Sequence, residues 1–256
     1  MRIGFAGAGN MAAAMARGWA GADQPPEAMV FVDAGSGRAA KLAKEVGGEA
    51  VADISDLPQR SDVIVLAVKP AAFDAVATEL KGHAPALISV MAGVSGSRIE
   101  QAFPGVPTVL AMPNVAAEVR RGITCYVPPS GDDSANTEQL LDLLGRLGKL
   151  VPVEEHQIEL AGAVMSCSPA YIALVSEALA TAGEREGLDA TLSHELVVDA
   201  LAGTAELLRN RDPAAIRRAV ASPGGATEAG LDALAARDLE AAIHEAVKAS
   251  LERMRR

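Results

Sequence analysis

The first residues able to do chemistry are Gly7-Ala8-Gly9-Asn10-Met11-Ala12, directly behind the apolar stretch Ile3-Gly4-Phe5-Ala6. The run has the form G-x-G-x-x-A between an expected strand and an expected helix, the placement a dinucleotide fingerprint requires. Gly7 permits the tight turn, Gly9 lets the backbone approach a pyrophosphate that a side chain would block, and Ala12 is small enough for helix and strand to pack closely. The helix start offers unpaired N–H groups and a partial positive charge to phosphate. Asp33, 24 residues beyond Gly9, has two readings. Its carboxylate accepts from a ribose 2′-hydroxyl, which favours NADH, or it caps the next turn. Arg38 is near enough in sequence to meet a 2′-phosphate, or it is a helix surface charge, so NADPH and NADH both stay open.

A second run, Ser222-Pro223-Gly224-Gly225-Ala226-Thr227, breaks a helical pattern far down the chain. Small residues ahead of a helix expose backbone N–H groups that can cradle a carboxylate; read alone, the run is a helix connector. Cys167 is paired with no histidine by any motif, and a small buried thiol is the commoner role for such a residue. His83, His156, His194 and His244 lack metal-ligand spacing, so no metal site is expected.

The elements that must position these residues change character midway. Up to residue 153, short apolar runs alternate with helical patterns. Strands are expected at 2–6, 29–33, 49–51, 62–68, 86–90, 107–112, 123–127 and 149–153, with helices at 10–20, 37–46, 71–81 and 134–147. Strands alternating with helices imply parallel pairing in a doubly wound α/β sheet of Rossmann type. From 155 onward no strand pattern is found. A long helix is expected over 155–186, bent at Pro169, followed by 191–209, a helix opened by Asp212-Pro213 as cap and first turn, 226–235 and 238–254. The expected division is a dinucleotide-binding domain over 1–154 and an all-helical substrate and dimerisation domain over 155–256.

Composition bounds the partners. Half of the 256 residues are hydrophobic but only 3% are aromatic, so the core is built from Ala, Leu, Val and Ile. A net charge of −10 without a basic stripe argues against nucleic acid. Two distant cysteines make no disulfide framework. No run is long and uninterrupted enough to span a bilayer, and Met1-Arg2 leads straight into the first strand, leaving no signal peptide; the expected location is the cytoplasm. The Ala-rich helices have more apolar surface than one small bundle buries, which predicts a homodimer with interleaved long helices.

Five segments together resemble the pyrroline-5-carboxylate reductase family: Ile3 to Ala12, Leu66-Ala67-Val68-Lys69-Pro70, Ser89-Val90-Met91-Ala92-Gly93-Val94, Met112-Pro113-Asn114, and Ser222 to Thr227 with Ala229-Gly230-Leu231. Ser168-Pro169-Ala170-Tyr171 matches a further stretch. The resemblance implies hydride transfer from NADPH or NADH to C5 of a cyclic imine, giving proline. It also implies that Ser222, Gly225 and Ala226 hold the substrate carboxylate, that the Thr227 hydroxyl meets the ring nitrogen, and that Glu155 lies near the substrate. Ala67, Val68, Lys69 and Pro70 would line the cofactor, with Ala92 and Asn114 near the nicotinamide. Rings built from dimers are implied as well. The chain departs from the family at Ser166-Cys167-Ser168, where Gly-Ser-Gly is common, at Ala116-Ala117, near residue 54 and around Ala219. Two competing classes are a β-hydroxyacid dehydrogenase, whose catalytic Lys is missing from residues 155–209, and a regulatory protein that binds the cofactor without catalysis.

Overall fold

The computed structural model describes residues 1–128 and 134–255. They form two compact units, Met1–Cys167 with Ser250–Arg256, and Ser168–Ala249.

The first unit is an eight-stranded sheet in the order β3-β2-β1-β4-β5-β6-β7-β8. Its strands are β1 (Arg2–Ala6), β2 (Ala28–Val32), β3 (Glu49–Ala50), β4 (Val63–Leu66), β5 (Leu87–Ser89), β6 (Thr108–Pro113), β7 (Gly122–Val127) and β8 (Gly148–Pro152). Between them run α1 (Asn10–Ala20), α2 (Arg38–Val46), α3 (Leu57–Arg60), α4 (Phe73–Leu80), α5 (Gly96–Ala102) and α6 (Ser134–Gly145); α7 (Glu155–Met165) follows β8. Strand residues alternate between the two faces, as a pleated sheet covered on both sides demands. Ile3, Phe5, Val63 and Ile88 pack with α1, α2 and α6, and Ala6, Ile64, Leu66 and Leu87 with α3, α4, α5 and α7. Trp19 anchors the first layer: fully buried against Phe5, its indole N–H donates to the Leu143 carbonyl at 2.8 Å. The strand order reverses between β1 and β4, where open α/β sheets bind ligands.

Three expectations are corrected here. The sheet is not wholly parallel: β7 runs antiparallel to β6. Only residues 114–121 join them, too few for the crossover a parallel pair needs. The α5 helix was not anticipated, because Gly96 and Ser97 at its start have poor helix propensity. The long helix expected from residue 155 is interrupted at Ser166-Cys167, two residues before Pro169, so that Pro169 falls in the first turn of the next helix, where its missing N–H costs nothing.

The second unit holds α8 (Ser168–Arg185), α9 (Ala190–Leu208), α10 (Pro213–Val220), α11 (Ala226–Ala235) and most of α12 (Leu239–Met254). Asp189 and Asp212 cap α9 and α10 as acceptors for first-turn N–H groups. The α8–α9 pair is pinned where the Ser193 hydroxyl donates to the Ala180 carbonyl at 2.8 Å. Ala180 and Ser193 are the only buried positions among this unit's described residues, and Leu174, Leu179, Leu196 and Leu207 are exposed. The absence of a bilayer-length apolar run is also corrected. Over Glu155–Arg185 the helical chain is apolar enough for one by length and composition, with an 18-residue stretch of mean hydropathy 1.6 that is 17% buried. Apolar helix faces this bare call for a covering partner.

Candidate active site

Gly7 and Gly9 do different work. Gly7 has φ +104°, and its N–H donates to the Val32 carbonyl at 2.9 Å. A Cβ there would lie 2.6 Å from the Ala67 carbonyl oxygen. Gly7 therefore exists for the turn and for the close approach of β4. Gly9 stands at the N-cap of α1 with ordinary extended backbone, and a Cβ there would meet nothing within 4 Å. No side chain caps α1, so its first-turn donors face that open space. The residues thus fit a dinucleotide: a bare backbone cradle stands at a helix N-terminus beside the switch point. Ala8 and Ala12 are buried beneath the turn, Asn10 is exposed and Met11 half-buried.

The other expected cofactor residues gather along the same edge. Ala67 and Val68 are half-buried beyond β4, and Lys69 and Pro70 are exposed. Ala92 is half-buried in the turn after β5.

Asn114, after β6, is 8% exposed and already engaged on both sides of its amide. It donates to the Met165 carbonyl at 3.2 Å and accepts from the Ile123 N–H at 3.2 Å. Nearby, the Ser166 hydroxyl donates to the Pro113 carbonyl at 2.8 Å. These bonds staple the end of α7 to the β6–β7 edge.

Asp33 lies one residue beyond β2, and its carboxylate is occupied within its own turn. It accepts from the N–H groups of Gly35, Ser36 and Ala39 and from the Ser36 hydroxyl, all within 3.0 Å. The Ser36 hydroxyl and the Ala39 N–H contribute most to holding its pKa down at about 2. The cap reading of Asp33 is thus realised. Arg38 Nε donates to the Ser36 hydroxyl at 3.0 Å, and among the described residues no carboxylate pairs with Arg38.

Glu155 opens α7 beside the sheet, and its carboxylate accepts from the Gly96 N–H at 2.7 Å. Neither this bond nor the Asn114 contact with Met165 can be read from sequence, because their partners are backbone groups 59 and 51 residues distant.

In the second unit, the Ser222–Thr227 run forms a tight turn into α11. The Gly225 N–H donates to the Ser222 carbonyl at 2.9 Å, and Gly224, at φ +72°, donates to the Glu228 carboxylate at 2.6 Å. Gly225 is the N-cap, and no side chain closes the first turn. The N–H groups of Ala226, Thr227 and Glu228 thus have no intrahelical acceptor, and the side chains of Ser222 and Thr227 are exposed beside them.

A doubly wound sheet with a bare glycine turn at its switch point, in one chain with helices that leave their apolar faces uncovered, defines a dinucleotide-dependent oxidoreductase that self-associates. Residues 155–256 match the family described as pyrroline-5-carboxylate reductase dimerisation. Residues 2–93 match one described as NADP oxidoreductase coenzyme F420-dependent. The pyrroline-5-carboxylate reductases of Synechocystis sp. and Thermus thermophilus are 34% and 35% identical, each over 99% of this chain and 97% of the relative. The solved pyrroline carboxylate reductase of Plasmodium falciparum, with NADP bound, superposes with a TM-score of 0.90 at 26% identity, covering 100% of this chain and 97% of that one. The chain belongs to the pyrroline-5-carboxylate reductase family.

Proposed function

We propose that the chain reduces pyrroline-5-carboxylate to proline with NADPH or NADH. The observation that carries this reading is the open start of α11, a turn of small residues with free N–H donors and two hydroxyls, in a chain that matches such reductases end to end. When bound at the glycine turn, the reduced nicotinamide supplies the hydride to C5 of the imine. The N–H groups of Ala226 and Thr227 and the Ser222 hydroxyl hold the substrate carboxylate. Gly225, whose own N–H is spent on Ser222, contributes by lacking a side chain. The Thr227 hydroxyl accepts from the protonated ring nitrogen and orients the ring. A protonated imine already carries positive charge at the carbon under attack, so no strong general acid is required.

Gly7 to Ala12, Ala67 to Pro70 and Ala92 line the cofactor in this proposal, and Asn114 shapes the nicotinamide end through its two backbone contacts. The functional division falls after residue 154, with the dimerisation family's match beginning at residue 155, although α7 packs with the sheet. The working form is a homodimer, built further into a ring, in the cytoplasm. A net charge of −10 without a basic stripe supports a life without nucleic acid.

The test is loss of reduced-nicotinamide absorbance on adding pyrroline-5-carboxylate, with NADPH and NADH side by side. Robust turnover is expected; tight cofactor binding without turnover would point to another imine or to a regulatory protein. Because Asp33 is engaged in its own turn and Arg38 is not paired with an acid, cofactor choice falls to Arg38. Its replacement by alanine is expected to lower kcat/KM for NADPH about tenfold, the worth of one charge-assisted hydrogen bond, and to leave NADH nearly unchanged. Equal losses with both cofactors would remove Arg38 from that role.

A further inference from the structure

The turn between β5 and α5 carries Ala92 at the C-terminal edge of the sheet, on the β4 side away from β2. A dinucleotide centred on the Gly7–Gly9 turn sends one nucleoside over β2 and the other over β4 and β5, so this turn borders the nicotinamide half. It does not hold its own shape. Gly93 is left-handed at φ +78°, and α5 has seven residues, too few for a helix to persist without outside contacts. Ser95 satisfies one first-turn donor, the Arg98 N–H. The Gly96 N–H instead finds its acceptor far along the chain, in the Glu155 carboxylate at 2.7 Å. A carboxylate on a first-turn N–H is the stronger kind of hydrogen bond and also complements the helix dipole.

One turn further along α7, Glu159 pairs with Arg255 at 3.4 Å. That pair brings the end of the chain to the same turn: a Cβ on Gly93 would lie 3.1 Å from the Met254 carbonyl. Two successive turns of α7 thus serve one object. The first bonds the start of α5, and the second anchors the segment lying against Gly93.

We propose that Glu155 is a positioning residue for the reductase, its carboxylate fixing Gly96 and holding the Ala92-Gly93 turn in the shape the nicotinamide needs, with residues 254–255 as an outer brace. The proposal deepens the cofactor side of the proposed function and rests on it, but not on which imine is reduced.

The test uses Glu155→Ala, Glu155→Asp, Glu155→Gln and Arg255→Ala in the full-length chain, measuring NADPH dissociation constants by fluorescence beside kcat and KM. Alanine, and aspartate with its shorter reach, are expected to weaken NADPH binding about tenfold and to lower kcat, with KM for the imine little changed. Glutamine keeps an oxygen at the same reach and should restore most of the loss, whereas Arg255→Ala should shift binding in the same direction by less. A raised KM with unchanged NADPH affinity would put Glu155 on the substrate and overturn the proposal. So would NADPH affinity unaltered in all four variants, or a glutamine variant as impaired as alanine. Because NADPH binding needs no turnover, a protein inactive on the imine but sensitive at Glu155 would lose the proposed reaction and keep the clamp.

Discussion

Valine in place of Gly9 is expected to leave the chain folded and to weaken NADPH and NADH binding at least about a hundredfold, or ~2.7 kcal/mol. The backbone of Gly9 is extended at φ −77°, a conformation valine adopts freely, and a side chain there overlaps no protein atom. All of the loss therefore falls on whatever occupies the open space, which the free donors of α1 mark as an anion. Gly7→Ala is the contrasting variant. Its Cβ would press on the Ala67 carbonyl from a left-handed backbone, so it costs fold stability first, by about 1–3 kcal/mol from overpacking alone. Calorimetric titration and thermal denaturation of both variants separate the two outcomes. A Gly9→Val protein that still binds NADPH at wild-type strength would take the cofactor away from this turn.

Thr227→Ala is expected to lower kcat with pyrroline-5-carboxylate by about 10–100-fold, corresponding to ~1.4–2.7 kcal/mol. NADPH affinity should not change, since the residue lies in the unit without the glycine turn. The Thr227 hydroxyl is exposed at the second position of α11; its loss spares the helix and removes only the group offered to the ring nitrogen. Serine keeps the hydroxyl and should recover most of the rate. Wild-type kcat in the alanine variant would strip Thr227 of its place at the ring.

Most of the first unit was legible because buried parallel strands announce themselves as short apolar runs such as Val63-Ile64-Val65-Leu66, and because the glycine turn must sit between one such run and a helix. The hidden parts depend on partners remote in sequence. The direction of β7 is set by the shortness of the link before it, and α5 is held in part by a residue 59 positions away. Asp33 shows the limit from the other side: position and residue type allowed a ribose acceptor or a cap equally, and only the geometry of Gly35, Ser36 and Ala39 around the carboxylate shows that it caps its turn. In the helical unit, the cap Asp212 was readable as local chemistry, whereas the cap Asp189 emerged only with the structure. The open first turn of α11 was readable only as composition.

The first unit is made of two pieces of chain, residues 1–167 and the few after 249, with the whole helical unit between them. On the ribosome the sheet can therefore assemble long before Arg255 exists to meet Glu159. Until Arg255 has been made, the Ala92-Gly93 turn lacks its outer brace. A chain lacking residues 250–255 would keep all eight strands and lose both the Glu159–Arg255 pair and the Met254 carbonyl beside Gly93.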